Sequence, residues 1–131
     1  MESFHNDKAI KKKYLARVEA HKKADELIKG TYWENGKGCA VGCCIHGLNH
    51  KDYETQLGIP VWLARLEDRI FENLSDKDAK EWPSNFLKAI PVGVDLEQVK
   101  RPFLIYVVES AMASFDHKKF PDTLKRVSDV L

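Results

Sequence analysis

Apolar residues recur at helical spacing through most of the chain, and that recurrence predicts its elements. Ile10, Tyr14, Val18, His21, Ala24 and Ile28 fall on one side of a first helix, with lysines and acids opposite and Gly30 placed to end it. Between Asp52 and Leu57 the pattern is short and ambiguous. Gly58-Ile59-Pro60 then sets up a helix with proline in its first turn, lined by Leu63, Leu66, Ile70 and Leu74 and joined by Trp62 and Phe71. Arg65–Asp68 and Arg69–Glu72 are three apart and suit solvent-side pairing, and the adjacent acids Glu67 and Asp68 read as wet surface. Ser75 and Asp78 resemble a capping pair for a helix with Trp82, Phe86 and Ile90 on its apolar face, which Pro83 should break or restart. Asp95 with Gln98 reads as a further start, with a kink or restart expected at Pro102. Phe103 to Met112 is apolar nearly all round, which predicts a central helix buried on most sides; a strand over Leu104–Val108 competes with it. Pro121 opens a last helix carrying Leu124, Val127 and Leu131. The expected architecture is all-α: a single helical domain over 1–131, a bundle of five or six helices with a Gly/Cys-rich segment after the first.

Composition narrows the class. With 131 residues, 44% apolar side chains, 31% charged and a net charge of +1, the chain is too apolar for disorder and long enough to bury a core without staples. The longest uninterrupted apolar run, Phe103–Val108, falls far short of the roughly 20 residues that span a bilayer, and Met1–Lys13 does not read as a signal peptide. Three cysteines make a disulfide framework an unsuitable expectation and a reducing cytoplasm the natural one. Residues 1–29 carry eight Lys/Arg against five Asp/Glu, and residues 52–82 four against eight. Such segments solvate different faces or pair, within the molecule or across a dimer. Lys8, Lys11, Lys12, Lys13 and Arg17 therefore read as a wet helix face and not as a phosphate-binding surface. The expected partner is a second copy of the chain or another protein, with no nucleic acid and no membrane.

One segment stands apart. Residues 30–50, GTYWENGKGCAVGCCIHGLNH, hold five of the seven glycines, all three cysteines and two of the five histidines. Gly36-Lys37-Gly38 fails as a phosphate loop: five residues separate Gly30 from Gly36 where the motif has four, and Gly38 stands where Ser or Thr should hold magnesium. The dinucleotide fingerprint also misses, because the third glycine is Gly42 and no strand precedes it. No metal site and no cofactor is expected. If a metal were held, Cys39, Cys43, His46 and His50 would be its ligands, since Cys39–Cys43 and His46–His50 each have i, i+4 spacing. As a single helix, however, Cys39 to His50 would stretch over about 16 Å, too far for one ion. Thiol chemistry is the catalytic alternative. It has Cys39 near a helix start as thiolate, His46 as its base and Cys43 as the resolving thiol. The structural alternative makes the glycines and cysteines a slim helix that other main chain approaches closely. In either case Trp33, Glu34, Asn35, Lys37 and His50 are candidate ligand- or partner-binding residues. His21, on the apolar face of the first helix, reads as a hydrogen-bonded core histidine.

The stretches WENGKGCAVGC, YETQLGIP, LARLEDRIFENL and WPSNFLKAIPVG together resemble a family of small uncharacterised bacterial and phage proteins, over about residues 14–100. GKGCAVGC is the most distinctive part. The resemblance implies a bacterial or viral cytoplasmic setting and carries no activity. The function expected is that of a small binding or regulatory module, self-associating, whose segment 30–50 shapes a pocket or interface. The alternative is a thiol- or metal-dependent enzyme or redox sensor centred on Cys39, Cys43 and His46.

Overall fold

A computed structural model describes residues 1–113 of the chain. It is helical, with six α-helices and one two-stranded hairpin among those residues: α1 (Lys8–Lys23), β1 (Trp33–Glu34), β2 (Lys37–Gly38), α2 (Ala40–Ile45), α3 (Asp52–Leu57), α4 (Val61–Asn73), α5 (Asp76–Ala89) and α6 (Lys100–Ala113). The chain divides into two compact units, Met1–Leu96 and Glu97–Leu131. No helix among the described residues is long and apolar enough to cross a membrane. The expected all-α class holds, with the hairpin as an addition.

In the first unit α1 packs on α2 and α5, and α4 packs on α5 and α2. Its core gathers Phe4, Val18, Cys43, Cys44, Tyr53, Leu57, Ile59, Phe71 and Leu87. Asp7 opens α1 by accepting from the Ala9 amide at 2.8 Å. The helix stops at Lys23, short of the expected Gly30, because Asp25 takes a left-handed conformation (φ 56°). The chain then runs extended beside β2: the Gly38 amide donates to the Glu26 carbonyl, and the Ile28 amide to the Gly38 carbonyl. The extended run buries Leu27 and brings Glu26 back to α1.

Asp52–Leu57, ambiguous in sequence, is helical. In α4 the deepest stripe is Ala64, Glu67 and Phe71, with the leucines half-buried at its flanks. Glu67 is therefore not solvated surface but fully buried, and Asp68 and Glu72 turn to other elements and away from Arg65 and Arg69. Ser75 caps α5 as expected, accepting from the Asp78 amide at 3.2 Å. Pro83 does not break α5: the helix runs through to Ala89, and Pro83 itself is fully buried. An interior proline costs about 3 kcal/mol, which packing on α1 and α4 offsets.

In the second unit the chain restarts as helix at Lys100, so Pro102 falls in the first turn of α6, where its missing N–H leaves no bond unmade. Leu104–Val108 is helix, not strand. The expectation of a central, mostly buried helix fails: no residue of α6 is buried, and Leu104, Tyr106 and Val107 are exposed. The helix expected after Pro121 lies outside the described residues.

Candidate functional site

The turn Asn35-Gly36 folds residues 33–38 into a hairpin, pairing Trp33 with Gly38 and Glu34 with Lys37. Both turn residues have positive φ, 53° and 77°, the requirement of a two-residue turn that matches strand twist and the reason for glycine at its second position. Immediately after, Gly38 and Gly42 face the Tyr32 carbonyl so closely that a Cβ on either would collide with it. The Cys39 amide donates to that same oxygen at 3.1 Å. The glycines thus let main chain seat on main chain, the structural alternative drawn from sequence.

The short helix α2 fills the centre of the unit, with all six residues buried. Its ends are served by charged side chains from two other helices. Asp68 of α4 accepts from the Val41 amide at 3.0 Å, and Arg17 of α1 donates to the Cys44 carbonyl at 3.0 Å. An acid at the N-terminal end and a cation at the C-terminal end complement the helix dipole.

The thiols belong to this interior. Cys39 caps α2, its sulfur accepting from the Gly42 amide and donating to the Tyr32 carbonyl, both at 3.5 Å. Burial and the neighbouring Asp68 carboxylate push the Cys39 thiol well above its ordinary range, outweighing the amides that favour thiolate. Burial likewise pushes Cys43 up to about 12, and raises Cys44. All three are free thiols. Cys39 and His46 flank opposite ends of α2, about 10 Å apart along its axis, so the nucleophile–base pair of the catalytic alternative does not form.

His46 pairs elsewhere. It ends α2 in a left-handed conformation (φ 52°, ψ 48°), and its ring stacks on Trp33, centroids 4.8 Å apart and planes 13° from parallel. Its Nε2 lies 2.7 Å from Nε2 of His21, whose Nδ1 lies 2.9 Å from Glu26 Oε1. The His21 ring meets both Trp33 and His46 edge-on. His50 instead turns to Asp68, Nε2 to Oδ2 at 2.9 Å, with its ring edge-on to Tyr32. The residues that a metal would have needed, Cys39, Cys43, His46 and His50, are thereby split between different partners. Among the described residues no three His, Cys, Asp or Glu side chains converge as a metal site would require.

What remains at the surface is the hairpin tip, Glu34, Asn35 and Lys37, with the turn His46, Leu48 and Asn49 beyond it. Leu48 is 71% exposed. Trp33 is half-buried between this rim and the histidines.

Two functional features escaped the sequence reading. One is the Glu26–His21–His46 chain, whose members are dispersed over 26 positions and joined only by the return of residues 26–28 to the hairpin. The other is Glu67, fully buried and accepting from the Tyr53 hydroxyl at 2.7 Å, with its second carboxyl oxygen unpartnered. Burial holds the Glu67 carboxyl well above the usual carboxylate range. The Asn35-Gly36 pair was the available signal for the hairpin; a charged residue inside an apolar stripe was the available signal for Glu67. No protein-family model, curated protein or solved structure matches the chain.

Proposed function

We propose that the protein is a small binding module that associates through the rim of segment 30–50, with a second copy of the chain as its first partner. One observation carries this reading. The chemistry-bearing thiols point inward and are held protonated, while Glu34, Asn35, Lys37, His46 and Leu48 stand outward on a braced base. Rigid presentation lowers the ordering cost of association, and an exposed leucine among polar neighbours suits a protein contact better than a catalytic cleft. A reducing, cytoplasmic setting suits three unpaired buried thiols. The catalytic alternative on Cys39, Cys43 and His46 loses support from the burial of the thiols and from the engagement of His46 with His21 and Trp33.

Sedimentation velocity over a wide concentration range tests the proposal. Reversible dimerisation is expected, weakened at least about tenfold by Leu48→Asp, which introduces a charge to be desolvated. A monomer at every concentration, or a dimer indifferent to Leu48→Asp and Glu34→Lys, overturns it.

A further inference from the structure

The contact between His21 and His46 has an unusual proton requirement. With His21 Nδ1–H donating to Glu26 Oε1, His21 Nε2 is left as an acceptor, and His46 Nε2–H must donate to it. One added proton is compatible with this arrangement. On His46 Nδ1 it leaves the Nε2–Nε2 bond intact and makes it charge-assisted, and the Glu26 carboxylate offsets the charge through His21. A second proton is not compatible, because both Nε2 atoms then carry hydrogens across 2.7 Å. A metal ion cannot substitute at this spacing: two metal–nitrogen bonds of about 2.0–2.1 Å at a tetrahedral angle hold their nitrogens roughly 3.3 Å apart.

The groups around the pair bias it further. Arg17 and His21 reach His46 from α1, Glu26 reaches it from the extended segment after α1, and the hairpin contributes the uncharged indole of Trp33. Burial is the largest influence and holds the His46 imidazole below its ordinary value; the Arg17 guanidinium and, once protonated, His21 add to this, against the single Glu26 carboxylate.

We propose that Glu26, His21 and His46 form a proton-operated latch, closed while the two imidazoles hold at most one extra proton and opened by the second. Closed, the latch ties α1, the end of α2 and the hairpin together at one point, with Trp33 stacked on His46 as its cover. Opened, His46 swings off His21, its stacking on Trp33 is lost, and the hairpin is released on that side. His46 is bonded to α2 through its backbone amide, which donates to the Gly42 carbonyl at 2.8 Å, so its ring can leave His21 without breaking a bond of the helix.

Side-chain NMR of the histidines and of the Trp33 indole, between about pH 4 and 8, tests this. The pair is expected to titrate in two macroscopic steps separated by more than about one pH unit, with the Trp33 indole resonance moving in the lower step. His46→Asn should leave a Trp33 resonance that no longer follows pH. Glu26→Gln, a milder change, should lower the upper step by removing the counter-charge. Independent titration of His21 and His46 with a shared midpoint, or a Trp33 resonance that stays fixed through both steps, overturns the latch.

Discussion

Helices α2 and α5 show two ways of making a helix. α5 has 14 residues, a serine cap, acids in its first turn and an amphipathic face, so local chemistry supports it before anything packs on it. α2 has six residues, three of them glycine or cysteine and only two of them large and apolar, with a thiol as its cap. A helix that short is not stable alone. It exists because Tyr32 seats on Gly42 and on Gly38 just before the helix, and because Asp68 and Arg17 arrive to satisfy its ends. The lesson concerns sensitivity. α5 tolerates even an internal proline, whereas α2 depends on groups from three other segments.

Predictions follow that contrast. The largest effect should be in thiol reactivity. Maleimide labelling of all three cysteines at mildly alkaline pH should be at least about 100-fold slower in the native protein than in denaturant, since raised thiol pKa values and burial suppress the thiolate. Rapid native labelling of any one would break the account of α2 as interior. Next, Gly42→Ala should cost about 3 kcal/mol in chemical denaturation, because the new methyl meets the Tyr32 backbone, which cannot rotate away. Lys88→Ala on the exposed side of α5 should change stability by less than about 0.5 kcal/mol.

A further prediction uses pH. The folded-state carboxyl of Glu67 is raised, so its contribution to stability is intact below the ordinary carboxyl range and is withdrawn as pH rises through the folded value. Relative to Glu67→Gln, the wild-type protein should lose up to about 1.4 kcal/mol per pH unit over that interval. Parallel pH profiles would show Glu67 to be ionised in the fold and the Tyr53 contact to be of another kind. The smallest effect belongs to the rim: Leu48→Ser should leave thermal stability within about 0.5 kcal/mol, sharpening the division between base and surface.

The same contrast explains what could be read in advance. α1, α4 and α5 declared themselves through period and through caps such as Ser75, because their information is local. Even there, α4 was misaligned by one stripe, since Glu67 was sorted by its charge when its neighbours Ala64 and Phe71 defined the buried face. The hairpin had a local signature in Asn35-Gly36, but strands of two residues are too short to show alternation. The run of glycines and cysteines is a legible sign of close approach between main-chain segments, and Gly38 and Gly42 are where it occurs. The partners of His46 and His50 were not legible, because His21, Glu26 and Asp68 reach them only through the packing of other segments.

The brevity of α2 also places it in the order of assembly. Its end contacts come from Arg17 upstream and Asp68 downstream, so it is expected to settle only after α4 has been synthesised and has docked. Until then Cys39, Cys43 and Cys44 are open to oxidants on the nascent chain, and an oxidised sulfur there would be too polar for the space reserved for it. The vulnerable interval for this protein is thus its own synthesis, after which the completed interior shields the thiols that it was built around.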